Sequence, residues 1–173
     1  MRSPLFLLVT LVLLQVPLAG CGDDVDRYLA DLGSRNPMVR LEAAKLARRV
    51  DEPRLAAALA PLLTDGSQDI RYNAAVSLAY IGTTEQVPVL IHALGDEDRE
   101  VRLAVVDALG QLEDERAVPS LLAMLDTEPE PYSVIWALGN IGNDGSLDAL
   151  TPMLDDDNRY VRYQSRRALL KIR

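Results

Sequence analysis

The chain has little cysteine, histidine or large aromatic side chains: its 173 residues include one Cys, one His, one Phe and one Trp. A single cysteine excludes an internal disulfide, so packing alone must stabilise the fold. The sole histidine, His92, is followed by Ala93, and this excludes a metal site built from several histidines. No paired acid and base stands out. The sequence therefore predicts no metal, no cofactor, no catalytic residue and a protein that is not an enzyme.

Positive charge is also scarce. The chain has 18 Lys and Arg against 26 Asp and Glu, a formal net charge of −8. Affinity for nucleic acid comes largely from basic side chains that neutralise phosphates. The acidic balance therefore argues against a nucleic-acid partner, and equally against electrostatic docking to an anionic membrane surface.

One apolar run is present, and it lies at the N-terminus. Leu5 to Val16 follow Arg2 and are too few for a spanning helix, which needs roughly 20 apolar residues. This pattern predicts a cleaved signal peptide over residues 1–20. The residues Leu-Ala-Gly-Cys at 18–21 resemble the lipobox of bacterial lipoproteins.

That resemblance implies lipidation of Cys21 by a diacylglyceryl group and a further acyl chain such as palmitate. Two or three chains anchor a protein stably. Residues 21–24 would then be the lipidated cysteine and a short linker at the bacterial cell envelope, on the extracytoplasmic side. Gly22 at the second position leaves the choice of inner or outer membrane open.

The rest of the chain is an internal repeat. Five similar segments share a register marked by Arg40, Arg71, Arg102, Pro131 and Arg162, at intervals of 31, 31, 29 and 31 residues. Apolar residues recur seven and ten positions after every marker, and the positions one before it and three after it are each apolar in four of the five segments. This spacing predicts one face of an α-helix. Such repeats typically stack into a continuous array.

A second helix is predicted in each repeat. Leucines in one register occur at 59, 90, 121 and 150, and four residues later at 63, 94, 125 and 154. Prolines 88 and 119 fall in first turns, where the missing N–H is tolerated. Glycines 82 and 142 end helices. Ten short helices in five pairs and no strands are therefore expected, an all-α protein.

Two segments resemble the two helices of the HEAT repeat, in particular of the short form named after phycobilisome lyases. Val118-Pro119 through Asp126 resembles its first helix, and Ile70-Arg71 through Gly82 resembles its second helix. The resemblance covers residues 25–173. It implies a right-handed α-solenoid of about five helix pairs, in which each pair buries its apolar faces against its neighbours. The resemblance also implies that the second helix of each pair, the B helix, lines the concave surface.

The marker arginines invite interpretation as a basic binding surface. By resemblance to HEAT proteins they instead form an internal ladder with aspartates six residues earlier, and we expect this structural role. The predicted ladder consists of Asp65, Arg71, Asp96, Arg102, Asp156 and Arg162.

The positions one, five and nine after each marker lie on one stripe of the B helix, pointing away from the core. Five of the six tyrosines and the only tryptophan fall on or beside this stripe. Aromatic residues and arginine are enriched in binding hot spots, although these rings could simply pack against one another. The predicted partner-binding residues are Tyr72, Val76, Tyr80, Leu103, Asp107, Tyr132, Trp136, Tyr160, Tyr163 and Arg167.

Three functions follow as hypotheses. The first is a lipid-anchored adaptor that binds a protein or peptide through the aromatic concave face. The second, from the resemblance, is a bilin-lyase-like enzyme or chaperone that binds a chromophore. The third is a nucleic-acid binder, which the charge disfavours. The partner, the oligomeric state and any role of the irregular junction at 127–131 stay open.

Overall fold

The computed structural model describes residues 21–50, 52–127 and 131–172. Within these ranges the chain forms ten α-helices and no strand. The predicted all-α solenoid of five helix pairs is confirmed. The helices are α1 Cys21–Leu32, α2 Pro37–Ala47, α3 Pro53–Leu59, α4 Gln68–Ile81, α5 Val87–Ala93, α6 Arg99–Leu112, α7 Val118–Leu125, α8 Tyr132–Ile141, α9 Leu147–Leu150 and α10 Arg159–Ile172.

The N-terminal boundary differs from the expected one. Helix α1 begins at Cys21 and not at Val25, so residues 21–24, predicted as a linker, are helical. Asp24 and Asp26 fall in its first two turns, and negative charge there is favourable because helix N-termini carry partial positive charge. The predicted signal peptide, residues 1–20, lies outside the described residues, as do residues 128–130 of the irregular junction.

The even-numbered helices are the B helices, and the odd-numbered helices are their shorter partners. Prolines explain why two of those partners are short. Helix α3 gives way to a 3₁₀ helix at Ala60–Thr64, which contains Pro61, and α9 is followed by another at Pro152–Asp155. Proline lacks the N–H that an α-helix interior requires, so the regular helix ends near it.

The core runs the length of the solenoid. The four leucines of the first predicted register, residues 59, 90, 121 and 150, are completely buried. Leu78, Leu109 and Leu138 of the B helices are also completely buried. Burying a leucine side chain is worth about 1.5–3 kcal/mol. The recurrence of these positions explains how each helix pair is stabilised by the next.

Successive B helices pack closely because small residues lie at their crossings. A β-carbon on Gly139 of α8 would lie 2.6 Å from Cα of Ala168 in α10. Ser77 of α4, also fully buried, donates a hydrogen bond to the carbonyl of Ala44 in α2. These contacts bring the outward stripes of neighbouring B helices side by side.

The turns are joined by alternating arginines and aspartates. Arg71 donates to both carboxylate oxygens of Asp96, at 2.7 and 3.0 Å, and to the carbonyl of Asp65 at 3.0 Å. Arg40 donates a single hydrogen bond from Nε to Oδ2 of Asp65 at 2.8 Å. Each of these aspartates lies in the turn before a B helix and binds the arginine of the preceding B helix. The aspartates therefore join consecutive repeats.

The remaining ladder arginines contact the turn before their own helix. Arg102 donates to the carbonyl of Asp96 at 3.0 Å, and Arg162 donates to the carbonyl of Asp156. Asp156 itself accepts from the backbone N–H of Asn158 at 2.7 Å. These arginines therefore contribute to the turns that hold the repeats in register.

Two carboxyl groups of this ladder, those of Asp65 and Asp96, have lowered pKa values. Burial by itself would raise the pKa of Asp96, but the hydrogen bonds from Arg71 and from the backbone N–H of Asp98, with the charges of Arg71 and Arg102, lower the pKa below its usual value. The pKa of Asp65 is lowered by the same kinds of contact with Arg40 and Ser67, against the same effect of burial.

None of the helices in the described ranges is long and apolar enough to cross a membrane.

Candidate functional site

A groove of about 690 Å³ opens on the B-helix face between α4, α6 and α8. We call this cavity the groove throughout. Its size falls in the range of roughly 300–1,000 Å³ that is typical of ligand sites. Its lining residues come from three consecutive B helices and are Tyr72, Val76, Ala79, Tyr80, Glu100, Leu103, Ala104, Asp107, Gln111, Ser133 and Trp136.

The groove has aromatic walls. Tyr72 and Tyr80 project from α4 four residues to either side of Val76, and they are 39% and 71% exposed. Trp136 of α8 is half-buried against the core and forms the opposite wall. The small residue Ala104 of α6 lines the groove between these rings. Aromatic side chains therefore line the groove on two sides.

The charge of the groove is negative. Glu100 and Asp107 contribute carboxylates, and none of the described residues that line the groove is basic. The Glu100 carboxylate lies 4.0 Å from the guanidinium of Arg99. The groove therefore offers hydrogen-bond acceptors and π faces, and it does not offer a cation to an anionic group.

Asp107 lies in the middle of the α6 stripe, and the pKa of its carboxyl group is shifted. Asp107 is exposed to solvent on the open side of the groove, while the helices around it remove part of the hydration of its carboxyl group. This desolvation raises the pKa of Asp107, and a hydrogen bond with Ser133 of α8 opposes the rise only in part. Perturbed carboxyl groups in clefts are more frequent at functional sites than elsewhere.

The structure divides the predicted binding residues into two groups. Tyr72, Val76, Tyr80, Leu103, Asp107 and Trp136 line the groove together. Tyr132, Tyr160, Tyr163 and Arg167 lie further along, on α8 and α10, and do not line it.

The second group forms its own surface cluster. The rings of Tyr132 and Tyr160 pack edge to face with centroids 6.2 Å apart. Tyr132 accepts a hydrogen bond from Asn158 at 2.8 Å. The guanidinium of Arg167 lies 5.7 Å from the ring centroid of Tyr163. These rings are therefore partly engaged with one another, which is the packing alternative left open by the sequence.

Three polar groove residues were not among the predicted site residues. One of them, Gln111, lies four positions after Asp107 on the predicted stripe itself. Glu100 lies three positions before Leu103, and Ser133 lies three positions before Trp136. Residues three and four apart share a helix face. A stripe widened by that spacing would have included both.

Fold and site together define the class: the protein is an α-solenoid of HEAT repeats with a groove on its B-helix face. Residues 56–133 match the family model described as HEAT repeats, and residues 131–156 match the model described as PBS lyase HEAT-like repeat. The repeat family predicted from the sequence is therefore supported. The lipoprotein assignment is tested by neither match.

The particular relatives are enzymes of two kinds. The chain is 34% identical over 122 residues to phycocyanobilin lyase subunit alpha of Picosynechococcus sp., an alignment that covers 62% of this chain and 46% of that protein. It is 35% identical over 106 residues to deoxyhypusine hydroxylase of Danio rerio, covering 58% of this chain and 35% of the relative. The chain thus spans less than half the length of these curated relatives.

Solved structures show the same fold. The complex of CpcE and CpcF of phycocyanin lyase from Nostoc sp. PCC7120 matches with a TM-score of 0.76 and 30% identity, over 90% of this chain and 66% of that one. A designed armadillo repeat protein in complex with the peptide (KR)4 matches with a TM-score of 0.64 at 20% identity, covering 88% of this chain and 85% of that one. The second likeness concerns the fold alone.

These relatives overturn one prediction. The sequence predicted a protein that is not an enzyme, because no catalytic group stood out in it. That prediction is wrong, because the relatives are named as a lyase and a hydroxylase. Repeat scaffolds place their functional groups at positions that local motifs do not reveal.

Proposed function

We propose that the protein is a bilin-lyase-like HEAT-repeat module that binds an open-chain tetrapyrrole in the groove. The observation that supports this most directly is the similarity to phycocyanobilin lyase subunits combined with an aromatic groove at the junction of three B helices. A lyase of this kind must hold a chromophore and pass it to a protein. A HEAT-repeat surface provides room for both.

The groove fits a bilin in size and in its walls. Tyr72 and Trp136 offer π faces to a flat conjugated chain, and Leu103 and Val76 offer apolar surface to its methyl groups. Aromatic stacking and apolar burial supply most of the affinity in such sites. The carboxylates of the groove match pyrrole N–H groups, which are hydrogen-bond donors.

The hydroxylase relatives give a less suitable model. Metal-dependent HEAT-type hydroxylases use repeated His-Glu pairs, whereas this chain has one histidine, which is followed by Ala93. His92 lies on α5, away from the groove residues, beside the ladder residues Arg71 and Asp96. The lyase relatives therefore guide the proposal.

The proposal is tested by titrating the folded protein with phycocyanobilin. Trp136 is the only tryptophan and lines the groove, so bound chromophore is expected to quench its fluorescence while the bilin absorbance changes. Tyr72→Ala should weaken binding by about tenfold, since stacking on one ring is worth about 1 kcal/mol or more. Tyr28→Ala, in α1 and outside the groove, is the control. Absence of quenching at any bilin concentration would reject the function.

A second candidate is a lipid-anchored scaffold that binds a protein partner at the bacterial cell envelope. The Leu-Ala-Gly-Cys sequence at 18–21 and the exposure of Tyr160 and Tyr163 favour it. Metabolic labelling with a fatty-acid analogue should modify the wild type and not Cys21→Ser. Equal labelling of both, or of neither, would reject the anchor.

The scaffold itself is tested on native membranes. Affinity capture by the wild type is compared with capture by a Tyr160→Ala, Tyr163→Ala double variant, since these rings lie outside the groove. Loss of a specific partner from the double variant supports the scaffold. Identical partners for both proteins would remove this surface from consideration.

A further inference from the structure

The distribution of charge in the groove contains information about how a tetrapyrrole would lie in it. A bilin has two chemically distinct edges: one carries the pyrrole nitrogens and the other carries two propionate groups. Glu100 and Asp107 make the groove anionic, and the described residues that line it include no base. Burying an anion without a cationic partner is strongly unfavourable. The propionate edge therefore does not belong inside the groove.

We propose that Asp107 recognises the nitrogen edge of the tetrapyrrole, so that pyrrole N–H groups face α6 and the propionates point out of the groove. This inference rests on the proposed function and adds the orientation of the ligand and the residue that determines it. Asp107 would be a positioning residue. No bond is made or broken by it.

The position of Asp107 supports this role. It lies between Leu103 and Gln111 on the middle helix of the three that form the groove, with Trp136 on the adjacent helix. Ser133 of α8 lines the groove with Asp107 and counteracts part of the rise in its pKa. A ligand that stacks on the aromatic walls would bring its inner edge towards this helix.

The carboxyl group also lacks the compensation that a structural aspartate has. Asp96 in the ladder is paired with Arg71 at 2.7 Å. The described residues that line the groove with Asp107 include the acidic Glu100 and no basic residue. Desolvation raises the pKa of Asp107 accordingly. Hydrogen bonds from a ligand would compensate for that loss of hydration, since bonds to charged groups are the stronger ones.

Glu100 is a weaker candidate for the same role. Its carboxylate lies 4.0 Å from the guanidinium of Arg99, on the same turn of α6, whereas the described residues that line the groove offer Asp107 no positive charge. A partly neutralised carboxylate gains little from a further donor. Asp107, and not Glu100, is therefore the residue expected to bind the pyrrole nitrogens.

The experiment separates occupancy from orientation. Phycocyanobilin and its dimethyl ester are titrated into the wild type, Asp107→Asn and Asp107→Glu. Quenching of Trp136 fluorescence measures occupancy of the groove. The long-wavelength absorption band of the bilin measures contact with its nitrogens. Asp148→Asn, an exposed aspartate on α9 outside the groove, is the control. Circular dichroism verifies that each variant is folded.

We expect the ester to bind wild type as well as the free acid does, because the propionates are outside the groove. Asp107→Asn should weaken both ligands by about tenfold and alter the absorption band, since a hydrogen bond to a charged group is worth about 1.5 kcal/mol or more. Asp107→Glu should restore part of the affinity. The zinc complex of the bilin, whose nitrogens are occupied, should bind no better to wild type than to Asp107→Asn.

The titrations distinguish failure of the proposed function from failure of the proposed orientation. If bilin does not quench Trp136 in the wild type, the proposed function fails and the inference fails with it. If bilin quenches Trp136 equally in wild type and Asp107→Asn, or if the ester loses its affinity, the orientation is overturned while the proposed function stands.

Discussion

Gly110 of α6 lies directly against Trp136 of α8. A β-carbon on Gly110 would be 2.6 Å from Cζ3 of the indole ring and 2.9 Å from Cα of Ala137. The absence of a side chain at this position lets the two B helices approach and places the indole ring where it walls the groove. Helix packing and the binding surface therefore depend on the same contact.

Gly110→Ala should destabilise the protein and disturb the groove. Alanine favours a helix by about 1 kcal/mol over glycine, but overpacking against the Ala137 backbone costs about 1–3 kcal/mol or more. We expect a net loss of about 1–2 kcal/mol in the free energy of unfolding, measured by urea denaturation, and a shift in Trp136 emission. Gly66→Ala is the control, since nothing lies within 4 Å of its added carbon. Equal stability of the two variants would contradict the packing argument.

Asp96→Asn should be strongly destabilising. Its side chain and that of Arg71 are 8% and 10% exposed, and removing one charge of a buried pair typically costs about 3 kcal/mol. The Arg116–Asp114 pair has the same 2.7 Å separation, but Arg116 is 54% exposed. Asp114→Asn should therefore cost less than about 1 kcal/mol. Comparable losses in urea denaturation would show that burial does not distinguish the pairs.

The ladder should also make stability depend on pH. The folded-state pKa values of Asp65 and Asp96 lie below the ordinary value of 3.8. Their contribution is therefore present above that value and is lost as the pH falls through the lowered pKa values of the folded state. Denaturation between pH 7 and pH 2 should show this loss in the wild type. A smaller loss is expected in Asp96→Asn, and an unchanged pH profile there would refute the assignment.

Asp107→Asn should increase stability at neutral pH. The pKa of Asp107 is raised in the folded state, so ionisation of this carboxyl group at neutral pH destabilises the fold. The destabilisation disappears as the pH falls below 3.8, the pKa of the unfolded state, because the group is then protonated in both states. The variant should thus have a higher melting temperature than the wild type at pH 7 and the same one at pH 3. A gain in stability with a loss of ligand affinity is typical of a residue retained for function. A variant that melts lower at pH 7 would point to a structural role instead.

Two buried serines should respond in opposite ways to loss of their hydroxyl groups. Ser165 of α10 is fully buried, and no described residue hydrogen-bonds its hydroxyl group, whereas Ser77 is bonded to Ala44. Ser165→Ala should stabilise the protein by about 1 kcal/mol, and Ser77→Ala should destabilise it by about 1 kcal/mol. Thermal unfolding of the two variants measures the difference, and a change of the same sign in both would count against it.

Much of the fold was determined by the sequence itself. The intervals between Arg40, Arg71, Arg102, Pro131 and Arg162 and the leucines of the first helices predicted ten helices in five pairs, because a helix pair must bury a recurring apolar face and the same face recurs five times. The start of α1 was displaced by four residues, since polar residues such as Asp24 tolerate either a helix or a linker.

The site was decided only by the tertiary structure. Helix periodicity placed Tyr72, Asp107 and Trp136 on outward stripes, but it could not show that α4, α6 and α8 converge on one groove while Tyr132 pairs with Tyr160 beyond it. That separation depends on how closely neighbouring helices approach, as at Gly110 and Gly139. The desolvation of Asp107 has the same origin, because the loss of hydration depends on atoms from helices distant in the sequence.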